Sequence, residues 1–245
     1  MSLLVWLNRD FAMSLRRILK VAVALEGEIS NRQAKGNFIV SNHLSYIDGV
    51  ILGSIFKVIF VSKSQVKKWP FFGIVANLGG TIFIDRSRKD LALEYTAGIK
   101  ELLGLGVNIL LFPEGTSTNG VKTLPFQSLF FASPIEAGAD IIPVTVIYTH
   151  LDGKPLKDQD RDRLHWYGQV PFQAHLWQVL SVKSIGVKII MHNTIRAKEK
   201  ENTTVARHNL AQVAQQLISN SYKQTLDKHI SEMYHTSVVT FKTQK

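Results

Sequence analysis

Short runs rich in β-branched and aromatic residues recur along this chain at 38–40, 58–62, 80–84, 107–112, 141–148 and 187–192. Runs of this length and composition, bounded by turn-forming residues, read as buried strands. Between them, residues 46–55, 70–77, 90–103 and 128–138 read as helices, with Gly104 and Gly138 suited to end the last two. Strands that alternate with helices constrain a chain to an α/β fold, here a largely parallel or mixed sheet flanked by helices.

Both ends of the chain carry helical patterns. Over residues 3–25 the apolar side chains Leu4, Leu7, Phe11, Leu15, Ile18, Ala22 and Leu25 fall in a stripe about 80° wide at 100° per residue. Arg9, Arg16, Arg17 and Lys20 take the opposite face, an arrangement suited to a helix lying in a membrane interface. The same pattern also suits a helix packed on its own domain with a solvated basic face. A last helix, 203–226, sets Val205, Leu210, Val213 and Leu217 on one side to close the domain, and the remainder to Lys245 reads as a tail. The expected organisation is an amphipathic interface helix over 1–30, one main domain over 31–230 and a tail over 231–245.

Composition narrows the partners. With 29 Lys and Arg against 19 Asp and Glu, the formal charge of +10 favours a polyanionic surface. The chain has no cysteine, so thiolate metal sites and Cys nucleophiles are excluded. No run of eighteen uncharged apolar residues occurs, and the N-terminus lacks the order of a signal peptide. Peripheral membrane contact, rather than a span, is the expectation.

Several of the apolar runs end in polar residues able to do chemistry. After 38–40 comes Ser41-Asn42-His43-Leu44-Ser45-Tyr46-Ile47-Asp48, and after 107–112 comes Pro113-Glu114-Gly115-Thr116-Ser117. A His in a strand-to-helix turn, with an Asp in the first turn of the following helix, places a carboxylate where it can orient the imidazole as a general base. By spacing alone the pair reads more readily as a capped His and an Asp that stabilises a helix start. In the second segment Pro113 stiffens the turn, and Gly115 lets backbone amides approach a ligand closely. The run Gly115-Thr116-Ser117-Thr118-Asn119 lacks the Lys of a phosphate-binding loop and narrowly misses the nucleophile elbow of serine hydrolases. A third segment, Phe83-Ile84-Asp85-Arg86, offers Arg86 as a clamp for an anion, and a fourth, Ile141-Ile142-Pro143-Val144, reads as core or as the wall of an acyl slot.

Taken in order, these segments resemble the motifs of the glycerolipid acyltransferase family, that of the lysophosphatidic-acid acyltransferases, over roughly residues 35–150. Asn42-His43 with Asp48 is similar to its first motif, Phe83 to Arg86 to its second, Phe112 to Thr116 to its third and Ile142-Pro143-Val144 to its fourth. The resemblance implies transfer of an acyl group from acyl-CoA or acyl carrier protein to a lysolipid hydroxyl, with no covalent acyl-enzyme, no cofactor and no metal. It casts His43 as base, Asp48 as its orienting partner, and Arg86, Glu114, Gly115, Thr116 and Ser117 as acceptor-binding residues. It also implies a membrane-associated enzyme of the cytoplasmic face, with membrane lipids rather than nucleic acid as partners. Two positions depart from the phosphate-accepting members: Ser117 stands in place of an Arg, and Gln127, in Pro125-Phe126-Gln127-Ser128, in place of a Lys. Lys122 is a cation nearby that could substitute. With His165-Trp166-Tyr167-Gly168 and His175-Leu176-Trp177, these departures look similar to the lyso-ornithine lipid acyltransferase branch. The competing class is a basic module binding membrane or nucleic acid without chemistry. It accounts for the cations of 57–89, but no DNA- or RNA-binding signature accompanies them.

Overall fold

A computed structural model describes residues 2–28, 36–69, 72–85, 92–197 and 203–242. Helix α1 (Ser2–Ile18) leads into β1 (Val21–Glu26), then β2 (Phe38–Ser41), α2 (Ile47–Ile55) and β3 (Val58–Lys63). A 3₁₀ segment (Ser64–Lys68) precedes α3 (Phe72–Leu78), β4 (Ile82–Ile84), α4 (Ala92–Gly104) and β5 (Asn108–Leu111). The second half runs through α5 (Ala132–Ala137), β6 (Asp140–Leu151), β7 (Lys154–Pro155), α6 (Phe172–Ser181), β8 (Ile185–Met191), β9 (Ile195–Arg196) and α7 (Thr204–Lys242).

The main path of the sheet is β1-β8-β6-β2-β5-β3-β4, with β7 and β9 both paired to β6. From β6 to β4 every neighbour is parallel, whereas β8 runs antiparallel to β6. The sheet is therefore mixed, as the alternation of strands and helices predicts. Both faces of its centre are covered. On one face Ile39, Leu110, Ile142 and Val144 pack with Leu44, Ile47 and Ile51 around α2. On the other, Phe38, Val40, Ile109 and Leu111 meet Ile99 and Leu103 of α4 and Ala211, Ala214 and Ile218 of α7. Burial on both sides explains why the central strands read as continuous apolar runs rather than alternating ones.

Several expectations are corrected. The N-terminal helix ends at Ile18 because Lys20 takes a left-handed conformation (φ 55°), and 21–26 leaves as a strand parallel to β8. Ala22 and Leu25 fit the helical stripe in phase, which hid the strand. The helix is also rolled: Val5, Ala12 and Leu19 are buried, while Trp6, Leu7 and Ile18 are exposed. Helix α7 buries Ala211, Ala214, Ile218 and Tyr222, leaving Val205, Val213 and Leu217 exposed. Small alanines let its backbone approach β6 closely enough for the Thr145 hydroxyl to reach the Ile218 carbonyl at 3.4 Å. That helix also continues past 226, to Lys242. Helix α6 and the short strands β7 and β9 had no sequence-based counterpart.

Candidate active site

The parallel centre of the sheet brings the carboxyl ends of β2, β4 and β5 to one edge, and the loops that leave β2 and β5 meet there. This is where an open α/β sheet places its ligands. Past Ser41 the chain turns through 42–46 and enters α2, whose first turn carries Asp48. The Asp48 side chain is fully buried, yet each of its oxygens is engaged. Oδ2 accepts the backbone N–H groups of Leu44 (2.6 Å) and Ser45 (2.9 Å) and lies 2.9 Å from Nδ1 of His43. Oδ1 accepts the hydroxyl of Tyr148 at 2.8 Å. With two backbone N–H groups and a hydroxyl already donating to it, this carboxyl group is an acceptor toward the ring, which assigns the imidazole proton to Nδ1. Nε2 is then the basic nitrogen. It makes no hydrogen bond among the described residues and is not sealed in the core.

The ring is fixed from its face as well. Phe112, just beyond β5, stacks on His43 at a centroid distance of 4.0 Å and an interplanar angle of 11°. Glu114 braces the loop from behind: Oε1 accepts the His43 N–H and Oε2 the Leu124 N–H, each at 2.7 Å. Burial lifts the Glu114 carboxyl to about 7, the two N–H groups opposing it and the Asp48 charge adding to it. Gly115 turns the chain in the left-handed region (φ 76°), where a side chain would be strained. The carbonyl of His43 accepts the N–H of Thr118 at 3.0 Å, so the first and second polar segments are tied by both main-chain and side-chain bonds.

The predicted residues divide accordingly. His43 and Asp48 come together as a dyad. Glu114 lies beside them, but both of its oxygens are taken by backbone donors, which makes it a brace of the loop. Thr116 is exposed, Gly115 forms the turn, and the Ser117 hydroxyl donates to the Trp166 carbonyl. Arg86 lies outside the described residues. The segment that holds it follows β4, which is parallel to β3 and ends at the same edge of the sheet. Ile142, Pro143 and Val144 pair with Ile39, Val40 and Ser41 of β2 and belong to the core.

Sequence reasoning missed one contributor, Tyr148. Strand β6 runs on past the end of β2, and the Asn42 side chain clips this overhang by bonding both the N–H (2.8 Å) and the C=O (2.9 Å) of Val146. Two residues further, Tyr148 reaches Asp48. Its position closing an apolar run at the functional edge was the only available signal. The 165–177 stretch, which the sequence singles out for its histidines and aromatic residues, also reaches the site. Trp166 donates its backbone N–H to the Leu44 carbonyl at 2.9 Å and joins Tyr46, Trp69 and Phe172 in a cluster of edge and tilted ring contacts. His175 approaches the Tyr46 hydroxyl at 3.2 Å, and burial lowers its pKa to about 4, so it is neutral there.

This site falls inside a region that matches the family model described as Acyltransferase, residues 22–147, just over half of the chain. The chain belongs to the acyltransferase family. Within this family it is similar to a lyso-ornithine lipid O-acyltransferase of Rhodobacter capsulatus, 37% identical over 63% of this chain and 55% of the relative. A protein of the same name from Pseudomonas aeruginosa is 34% identical over 69% of this chain and 62% of the relative. A 1-acyl-sn-glycerol-3-phosphate acyltransferase of Neisseria gonorrhoeae is 29% identical over 72% and 67%. The match covers 59%, 55% and 65% of the length of three such lyso-ornithine lipid relatives. The crystal structure of the 1-acyl-sn-glycerophosphate (LPA) acyltransferase PlsC from Thermotoga maritima shares the fold, with a TM-score of 0.63 at 16% identity, over 90% of this chain and 79% of that one.

Proposed function

We propose that this protein transfers an acyl group from a thioester donor, acyl-CoA or acyl carrier protein, to the free hydroxyl of a lysolipid. The observation that carries the reading is the His43–Asp48 dyad, with Nδ1 anchored and Nε2 open. In the reaction Nε2 removes the proton of the acceptor hydroxyl as its oxygen attacks the thioester carbonyl. The Asp48 carboxylate stabilises the imidazolium that forms, and the proton then passes to the departing thiolate. A positioned base of this kind contributes about 10²- to 10⁴-fold. The main-chain N–H groups of Thr116 and Ser117 have no acceptor among the described residues and are the donors nearest in sequence for the developing oxyanion. Arg86 would hold the polar headgroup, and no cofactor or metal is called for.

For the acceptor, we favour a lyso-ornithine lipid over lysophosphatidic acid. Ser117 and Gln127 stand where phosphate-accepting members carry cations, and the Ser117 hydroxyl is turned away to Trp166. The names of the relatives at 34–37% identity support the same choice. The protein would work as a peripheral enzyme at the cytoplasmic face of the membrane. No helix among the described residues is long and apolar enough to cross a bilayer. The test is a competition assay in which purified protein receives labelled acyl donor with equimolar lyso-ornithine lipid and lysophosphatidic acid. Ornithine lipid should be the main labelled product; a preference for phosphatidic acid would overturn the acceptor assignment while leaving acyl transfer intact.

A further inference from the structure

The loops that carry chemistry leave the carboxyl ends of the strands, but a second polar concavity opens at the opposite, amino end. It has a volume of about 320 Å³ and lies between α1, the end of α2 and the starts of β2 and β5. Six residues of chain separate Asn37 on its wall from His43, on the order of 20 Å at about 3.3 Å per residue, so it is not an extension of the candidate active site. Its cations are Arg9 and Lys57, set among Asn37, Asn108 and an apolar wall of Ile39 and Phe56.

The charges in this cavity are unbalanced. Neither Arg9 nor Lys57 has a carboxylate partner among the described residues; both instead address the ring of Trp6, Lys57 with its ammonium 3.1 Å from the centroid and Arg9 at 6.0 Å. The Nε of Arg9 is closed off from solvent and meets no acceptor. The guanidinium makes no hydrogen bond among the described residues, so its terminal N–H groups are left to whatever occupies the cavity that Arg9 lines. Asn108 cannot serve as their acceptor, since its side-chain carbonyl already accepts the backbone and side-chain N–H groups of Asn37, and its amide donates to the Lys57 carbonyl. Two cations that line one cavity without a carboxylate partner among the described residues match a phosphate oxyanion in charge, and a guanidinium and an ammonium are the donor types suited to it. The exposed Trp6 and Leu7 on the adjoining face of α1 would lie at the level of a lipid headgroup if the phosphate belongs to a phospholipid.

We propose that the cavity bounded by Arg9, Lys57, Asn37 and Asn108 is a phosphate-binding site, distinct from the His43 site. The shared chemistry of an anionic phospholipid headgroup and of free phosphate is what it recognises. The experiment compares the intact chain with the double substitution Arg9→Gln/Lys57→Gln, and with a control of equal charge loss on the same helix and its exit, Arg17→Gln/Lys20→Gln. Thermal melting is followed with inorganic phosphate against chloride at matched ionic strength. Flotation is followed with phosphatidylglycerol vesicles against phosphatidylcholine vesicles.

A phosphate-specific rise in melting temperature, lost in the cavity variant and kept in the control, identifies free phosphate as the ligand. Binding to phosphatidylglycerol vesicles at least tenfold weaker in the cavity variant than in the control, without a phosphate effect on melting, identifies the lipid headgroup. Equal weakening by the two variants, or no effect of the cavity variant in either assay, overturns the proposal. Acyl transfer measured in detergent micelles should be the same in the cavity variant as in the intact chain. Loss there would also contradict a site separate from the chemistry, whereas absence of transfer in the intact chain would count only against the proposed function.

Discussion

At the scale of single residues, the account turns on how Asp48 is held. A buried carboxylate with three hydrogen-bond donors besides the imidazole cannot turn away from His43, and Tyr148 is the one donor supplied by a side chain. Replacing Tyr148 with Phe should lower stability by about 1–2 kcal/mol and slow transfer by less than the loss of His43 itself. Urea melts and initial rates check this; a rate unchanged within error would show that the two backbone donors suffice to position Asp48. Glu114 makes a prediction in pH. Its folded-state value of about 7 lies above the ordinary 4.5, so over that interval the folded chain binds the proton more tightly than the unfolded one. Its contribution to stability is therefore full below pH about 4.5 and is lost as pH rises through about 7, on the order of 3 kcal/mol in the limit. Denaturant melts at pH 5 and pH 8 should show the intact chain losing more stability across that range than Glu114→Gln, and parallel behaviour of the two would contradict it. His43 and Asp48 were legible in the sequence because both lie in one strand-to-helix turn. Tyr148 was not, because its contact spans 100 residues and depends on β6 outrunning β2.

At the scale of elements, the buried strands were the most readable part of the chain. Sheet burial on both faces gives compact apolar runs with turn residues at their ends, and each of the expected runs holds a strand. Helix faces were less readable. In α1 and α7 several apolar residues exceed what the core takes up, and which of them go inside is decided by small residues. Ala12 of α1 lies where a Cβ on Gly53 of α2 would be 3.4 Å away, and Ala211 and Ala214 of α7 sit against the sheet. Sequence periodicity counts apolar residues and does not see that a close backbone approach favours the alanine line over the leucine line. The apolar residues left outside on α1 are then available to a bilayer interface. Replacing Leu7 and Ile18, 58% and 60% exposed, by Glu should leave the melting temperature nearly unchanged and markedly reduce flotation with anionic vesicles. Unchanged flotation would mean that this face of α1 does not meet the membrane.

At the scale of the whole molecule, one mixed sheet separates two polar regions, with the dyad at the carboxyl ends of the strands and the Arg9–Lys57 cavity at their amino ends. The +10 charge suits an enzyme whose substrates sit in an anionic surface, and it does not by itself place any residue. The direct measurement of the central claim is transfer of labelled acyl groups to a lysolipid by purified protein in detergent micelles, for the intact chain and for His43→Ala. The dyad predicts labelled diacyl product from the intact chain and a rate lower by about 10²- to 10⁴-fold for a folded His43→Ala. A folded His43→Ala that retains the full rate, or an intact chain that acylates no lysolipid, would contradict it.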